Sequence, residues 1–459
     1  MLSEHVSRSP TRSLVIVPVL KNSIKKSPNN NSIILTQARA SDERLSEVVG
    51  LAQAIELNIV GRNVIKVQIP NPATLFGSGK IRELKEFISH KHVELIIVDH
   101  LLSPVQQRNL ERVWRAKVID RTGLILEIFG RRARTREGRV QVELAHLTFE
   151  RSRLVRSWTH LERQRGGFGF LGGPGESQIE TDRRILQARI NKLEKDLAKV
   201  VKTRKLHRKK RRNVPYPVVA IVGYTNAGKS TLFNGLTNSK VAAKNQVFAT
   251  LDPTMRALAL QGGRTVIISD TVGFISDLPT TLIAAFRATL EEVVDADLIL
   301  HVRDISHSET EAQCFDVECI LGELGILLDS HESRIIEVWN KIDLIEPSNF
   351  ESICSRSARH KYPTFLISAT NGHGFSELCR AISDWFGAND IELSLLLPSH
   401  SGRLMSWLHE NTCVISIFQN DNGLLTVTVQ IAPDYLGRLK AQAQKLGIKL
   451  KGAELAISE

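Results

Sequence analysis

The chain has 459 residues, room for about three domains, and 42% hydrophobic content, ordinary for a globular protein with a sizeable core. No stretch reaches 18 consecutive apolar residues, so no membrane span is expected. The five cysteines (Cys314, Cys319, Cys354, Cys379, Cys413) form no CxxC pair and no zinc spacing, which argues against a disulfide scaffold or zinc module and for reduced, inert thiols in a cytosol-like compartment. Net charge is +12, yet residues 151–212 alone carry 19 Lys/Arg against 6 Asp/Glu, more than the net charge of the whole chain. A concentration of that kind is the electrostatic footprint of a nucleic-acid partner; the plainer alternative is a solvated helical face.

The first residues contain Glu4 and no long apolar core, so no secretory signal is expected. Residues 7–30 are rich in Ser, Lys and Asn and read as a loose tail, and residues 1–32 are set aside as flexible. An organelle transit peptide shares that composition and stays open. SIILTQ (33–38) and NVIKVQI (63–69) read as strands, with helix-spaced Leu45, Val48, Val49, Ala52 and Ile55 between them. A second helix is expected over Ile81 to Ile88, and VELIIVD (93–99) reads as a buried strand. This alternation predicts an α/β domain over 33–139. FGSGK (76–80) lacks the spacing of a phosphate-binding loop and reads as a loop leading into a helix.

After the charged run RRARTREGR (131–139) the pattern turns to heptads. Leu147, Leu154, Trp158 and Leu161 form one seam, and Leu186, Ile190, Leu193, Leu197 and Val200 another. Two such seams predict a basic, antiparallel helical hairpin over 140–213, its second helix starting at Glu176 or Ser177, with Glu180 in capping-box spacing. The tip is RGGFGFLGGPGESQ (165–178), and Gly167 to Gly172 fits the dinucleotide spacing G-x-G-x-x-G. That fingerprint works only after a strand, whose end the glycines turn into a phosphate-facing helix. Here a helix precedes it, so the match is a coincidence of glycine density.

HRKKRRNVPYP (207–217) breaks the helix and marks a boundary. Residues 214–388 should form one α/β domain, and 389–459 a small α+β domain with a hairpin turning at Asn420–Gly423 and a helix from Pro433 to Leu446. The buried strand PVVAIVG (217–223) runs straight into GYTNAGKST (223–231), a full phosphate-binding loop in its required context. Gly223, Tyr224, Thr225, Asn226, Ala227, Gly228, Lys229, Ser230 and Thr231 should wrap the phosphates. Lys229 should reach the β- and γ-phosphates, and the Ser230 hydroxyl should ligate Mg²⁺. Asp270, Thr271, Val272 and Gly273 follow a strand: Asp270 can hold magnesium through water, and Gly273 can offer its N–H to the γ-phosphate. Phe248, Ala249, Thr250, Leu251, Asp252 and Thr254 lie between these motifs, and either Thr250 or Thr254 qualifies as a second hydroxyl on the metal. Asn340, Lys341, Ile342 and Asp343 match a guanine reader whose carboxylate accepts from N–H groups that adenine does not present, and Ser368, Ala369 and Thr370 close the set. The substrate is therefore expected to be GTP. Phe274 stands where Ras-like enzymes carry a water-positioning Gln, so hydrolysis should be slow alone and gated by a partner.

GGPGESQIETDRR (172–184), GYTNAGKSTLFN (223–234), FATLDPT (248–254) and DTVGFI (270–275) together resemble the HflX family of ribosome-associated GTPases, related to the Obg- and TrmE-like proteins. The likeness covers roughly residues 33–430. It implies binding to the large ribosomal subunit through ribosomal RNA, and splitting or recycling of stalled or idle ribosomes under stress. It also implies that Thr250 is the magnesium-ligating switch residue, which makes Lys229, Thr250 and Gly273 the expected catalytic set and Ser230 and Thr250 the metal ligands. A hydrophobic residue at position 274 is usual in the family, and an ATP site has been suggested for its N-terminal domain. The likeness gives the hairpin a task. Its flanks would lie on RNA phosphates, and Gly166, Gly167, Phe168, Gly169, Phe170, Gly172 and Gly173 would enter a confined RNA site, with the two phenyls stacking on bases or else packing back on the protein. A monomer in the cytoplasm is expected, with an organellar matrix left open. The competing readings are a GTPase partner of an RNA-modifying or ribosome-assembly machine, and a nucleotide-switched regulator of a membrane protease.

Overall fold

The computed structural model describes residues 10–20, 41–133, 135–164, 174–211, 216–237, 254–260, 264–276, 287–326, 334–388, 390–398, 401–419, 424–431 and 433–445. Among them, no helix is long and apolar enough to cross a membrane.

The chain opens on a strand where a loose tail was expected. β1 (Arg12–Leu20) lies inside the N-terminal parallel sheet, with Leu14, Val15, Ile16 and Val17 fully buried. Its polar flanks dominate the local composition and hide a short apolar run that needs cover on both faces. The expected strand at 33–38 lies outside the described residues. α1 (Ser41–Gln53), β2 (Asn58–Val67), α2 (Ser78–Lys91), β3 (Leu95–Val98), α3 (Pro104–Trp114), β4 (Lys117–Asp120) and α4 (Arg121–Arg132) complete the domain. All strands are parallel, in the order β2-β1-β3-β4. α1 and α4 bury Val48, Leu51, Ala52, Leu124 and Ile128 on one face; α2 and α3 bury Ile81, Leu84, Ile88, Leu110 and Trp114 on the other. FGSGK does lead into a helix, with Gly77 at the N-cap of α2. α3, absent from the sequence reading, starts at a full capping box between Ser103 and Gln106 with Pro104 in its first turn.

α5 (Arg136–Gln164) and α6 (Pro174–Arg211) form the two long helices expected after this domain. Glu143 faces Arg189 and Arg151 faces Gln187, so the helices run antiparallel. Leu147 and Ile190 are buried in the seam, and Leu186, Leu193 and Leu197 are half-buried along it. α6 begins at Pro174, ahead of the Glu176 or Ser177 start read from the capping-box spacing. Proline is at home in a first turn, where its missing N–H has no helical partner to lose. The seven tip residues singled out for RNA, Gly166, Gly167, Phe168, Gly169, Phe170, Gly172 and Gly173, lie outside the described residues.

The third unit comprises β5 (Val218–Gly223), α7 (Lys229–Thr237), β6 (Thr254–Ala259), β7 (Thr265–Asp270), α8 (Arg287–Val294), β8 (Leu298–Asp304), α9 (Thr310–Glu323), β9 (Ile335–Asn340), a 3₁₀ turn (Ile342–Leu344), α10 (Pro347–Ala358), β10 (Thr364–Leu366) and α11 (Phe375–Gly387). The sheet order is β10-β9-β8-β5-β7-β6, parallel except for β6. α7 and α11 cover one face, α8 and α9 the other. This is a doubly wound fold, in which ligands bind beyond the carboxyl ends of the strands.

The last unit is larger than the expected hairpin and helix. β11 (Ile391–Pro398) and α12 (Gly402–Asn411) precede β12 (Cys413–Gln419), β13 (Leu424–Ile431) and α13 (Pro433–Lys445), giving an antiparallel sheet β11-β13-β12. Leu404, Leu408 and Leu439 pack on Leu395, Leu397, Val427 and Val429.

Candidate nucleotide site

β5 is buried along nearly its whole length, which fixes its carboxyl end and the loop that follows. Asn226 takes a left-handed conformation (φ 62°), a region that asparagine tolerates better than most residues, and the loop then enters α7 at Lys229. Gly228 has φ 95°, and a Cβ there would lie 2.1 Å from the Asn340 side-chain nitrogen. That contact is functional geometry: Asn340 Nδ2 donates to the Ala227 carbonyl at 2.8 Å, and Asn340 Oδ1 accepts from the Ala369 N–H at 2.9 Å. One buried side chain thus ties together the phosphate loop, the NKID turn and the SAT segment.

Lys229 is 6% exposed, and its ammonium donates to the Tyr224 carbonyl at 2.6 Å. Burial lowers its pKa to about 8, with Asp270 pulling the other way. Ser230 donates to Asp270 Oδ2 at 2.7 Å, joining the start of α7 to the end of β7. Thr271 anchors the next segment through its hydroxyl to the Ile221 carbonyl at 2.6 Å. A Cβ on Gly273 would meet both Lys229 Nζ and Thr225 at 2.9 Å, so only glycine lets this backbone approach the lysine. Val272 is buried beside it.

Phe274 is 3% exposed and belongs to the apolar cluster that continues through Tyr224 and Ile275 into the N-terminal domain. Its backbone pairs with the phosphate loop: its N–H donates to the Gly223 carbonyl at 3.0 Å, and its carbonyl accepts from the Thr225 N–H at 2.7 Å. The ring is packing material here and offers no group that could orient water.

At the base-reading end, Ser368 donates to Asp343 Oδ1 at 2.6 Å, fixing an exposed carboxylate. Lys341 donates to Asp304 Oδ2 at 2.6 Å. Ala369 is buried and Thr370 exposed. The described members of the sequence-predicted set therefore converge on the carboxyl edge of the sheet. Thr254 starts β6 in register with Asp270, while Phe248, Ala249, Thr250, Leu251 and Asp252 lie outside the described residues. Sequence reasoning missed Asp304, the partner of Lys341; its place at the end of the largely apolar run Leu298–Asp304 was the available signal. It also missed Glu47 and Arg121 of the N-terminal domain, which touch Tyr224 and Ser276 and carry no motif.

Three family models match the chain: GTP-binding GTPase N-terminal over residues 42–130, GTP-binding GTPase middle region over 132–211, and 50S ribosome-binding GTPase over 218–341. The chain is 46% identical over 412 residues to the GTPase HflX of Magnetococcus marinus, covering 90% of this chain and 93% of that relative. It is 43% identical over 362 residues to the GTPase HflX of Escherichia coli, covering 79% and 83%. Among solved structures, a GTP-binding protein of the archaeon Sulfolobus solfataricus in complex with GDP aligns at 22% identity and a TM-score of 0.43, over 82% of this chain and 98% of that one.

Proposed function

The chain belongs to the HflX family of GTPases, and from that premise we propose that it binds the large ribosomal subunit and uses GTP to split or recycle stalled or idle ribosomes under stress. GTP is its substrate. The proposed place of work is the cytoplasm, as a monomer. The observation that carries the ribosomal reading is the concentration of 19 Lys/Arg over residues 151–212, 17 of them on two long packed helices, in the same chain as a phosphate-binding loop of GTPase type. Basic helices of that density suit RNA phosphates, a contact largely independent of sequence.

The geometry supports the following roles. Backbone N–H groups of 224–230 and the start of α7 receive phosphate, and the ammonium of Lys229, whose charge burial disfavours, is stabilised by phosphate oxygens. Gly273 brings its N–H within reach of the same region. Asp343, held by Ser368, accepts from guanine, and Asn340 keeps base reader and phosphate loop in one frame. The Ser230 hydroxyl and the Asp270 carboxylate are hard oxygen donors side by side, a set that fits magnesium; the family resemblance adds Thr250. Magnesium, when bound, supplies positive charge to the phosphate oxygens. With Phe274 packed away, basal turnover is slow and the ribosome stimulates it. Sedimentation with large subunits in a non-hydrolysable GTP analogue tests the reading. Co-sedimentation that depends on the analogue, and conversion of whole ribosomes to subunits with GTP, support it; failure to co-sediment with either nucleotide rejects it.

A further inference from the structure

Four residues from four separate segments close a ring between the N-terminal domain and the GTPase domain. Tyr224, in the phosphate loop, donates through its hydroxyl to Glu47 Oε1 of α1 at 2.8 Å. Arg121, the first residue of α4, donates to the same Glu47 oxygen at 2.9 Å. It also donates to Ser276 Oγ at 2.8 Å and to the Ser276 carbonyl at 3.3 Å. Ser276 closes the ring: its N–H donates to the Tyr224 hydroxyl at 3.0 Å. The guanidinium is itself fixed, because Arg121 is 7% exposed and donates to the buried Asp99 at 2.7 Å. Ser276 lies three positions after Gly273, on the segment that approaches Lys229.

The neighbouring residue faces the other way. Asp120 caps α4 through the Gly123 N–H at 2.8 Å, and its second oxygen takes an ion pair from Arg153 of α5. Arg153 also donates to the Leu102 carbonyl and lies 4.3 Å from the Phe149 ring centroid, so it is committed to the contact between α5 and the N-terminal domain rather than to the hairpin's outer surface. Asp120 and Arg121 share one peptide unit at the end of β4, a buried strand that cannot tilt alone. The contact to α5 and the contacts to Ser276 therefore meet at one peptide unit.

We infer that Asp120–Arg121 is the junction by which the seating of the α5–α6 hairpin sets the position of the 271–276 segment, with Arg121 a positioning residue for GTP hydrolysis. The inference rests on the proposed ribosomal reading for its input and on the ring for its output. Two discrete packings of one element, biased from both ends, are what coupling between sites requires.

The test uses the full-length protein and purified large ribosomal subunits, with variants Arg153→Gln, Arg121→Lys and the double variant. Arg153→Gln should keep its basal turnover within about twofold, since it touches no nucleotide-site residue. It should still co-sediment with subunits, yet lose about tenfold of the subunit-stimulated kcat with KM for GTP unchanged. Arg121→Lys, which keeps the charge and loses the fork, should lose stimulation to a similar degree. The double variant should be no worse than the more affected single one, because both interrupt one series. Without ribosomes, amide exchange over 271–276 should quicken in Arg153→Gln, although that residue makes no contact there. Full stimulation with unchanged exchange in Arg153→Gln, or multiplying effects in the double variant, overturns the inference. If the parent protein fails to bind subunits, the ribosomal reading falls, and the exchange comparison still decides the junction. If Arg121→Lys does not fold, the Arg153→Gln arm decides alone.

Discussion

The nucleotide site and the Asp120–Arg121 junction are built from the same interactions, yet they differ in how far apart the chain places their parts. In the nucleotide site each motif is a short run at the end of a buried strand, and a few side chains such as Asn340 stitch the runs together. In the junction the partners are 155 positions apart (Arg121 to Ser276) and 177 apart (Glu47 to Tyr224). The first arrangement tolerates little change because backbone and ligand meet at close quarters. The second can yield, because its parts lie on separate domains. A site of the first kind performs a fixed reaction, and one of the second kind is suited to report on something outside the domain.

The nucleotide site should lose most to the smallest change. Gly228→Ala places a Cβ 2.1 Å from the Asn340 amide at φ 95°. It should weaken GTP and GDP alike by about 10³-fold, roughly 4 kcal/mol, read by titration with a fluorescent guanine nucleotide. Equal affinity would mean that Asn340 does not hold the loop. Asp343→Ala removes the carboxylate seated by Ser368. It should lower GTP affinity by about 10²-fold while leaving ATP binding as poor as before, measured by competition. A similar loss for both nucleotides would show a fold defect instead of lost guanine reading.

A control within the same domain sharpens the contrast. Glu337 is fully buried on β9; it pairs with His301 at 2.6 Å and accepts from Trp339, the neighbour of Asn340, at 3.1 Å. Burial works against its charge, but His301 and Arg303 more than offset this and hold the carboxyl below its usual value. A carboxyl lowered in the folded state contributes stability above the unfolded pKa of 4.5, and that contribution fades as pH falls through the folded value. Glu337→Gln should therefore cost about 2 kcal/mol at neutral pH in thermal or denaturant unfolding, with the deficit shrinking as pH falls below 4.5 and through the folded value. A deficit independent of pH would assign the loss to packing.

The smallest expected effect concerns the hairpin surface. Raising salt from about 50 to 200 mM should lower large-subunit affinity by at least about tenfold while leaving nucleotide affinity nearly unchanged, and single Lys→Gln changes on the exposed face of α6 should each flatten the salt slope by about one unit or less. A flat salt dependence would separate the hairpin from RNA.

Much of this was legible before any fold was seen. The phosphate loop, DTVG and NKID each carry their chemistry in consecutive residues, and the strand before each is apolar enough to be read directly. The two helices were legible from their heptads, and Leu147 with Leu186, Ile190, Leu193 and Leu197 do sit at least half-buried, while the side chains of Leu154, Trp158 and Leu161 lie outside the described residues. β1 was not, since nine residues with an apolar centre were drowned by the Ser-, Lys- and Asn-rich stretches on either side. β11 and α12 were missed for a related reason: a short strand and a short helix joined by Pro398 and Gly402 give too few residues for a clear period. The extra residues of the site, Asp304, Glu47 and Arg121, have no motif around them.

What the sequence alone pointed to is the nucleotide chemistry: a glycine-bearing turn after a buried strand offers backbone N–H groups and a lysine that suit phosphate, and the Asp in NKID is an acceptor that suits a guanine edge. What tertiary structure decided is which residues of the N-terminal domain meet the GTPase domain. An ion pair between Arg121 and Glu47, shared with Ser276 and Tyr224, depends on how two hydrophobic faces pack, and that packing is set by surfaces assembled from distant parts of the chain. Local periodicity carries no record of it, because the energy of such a contact exists only once both domains have folded and met.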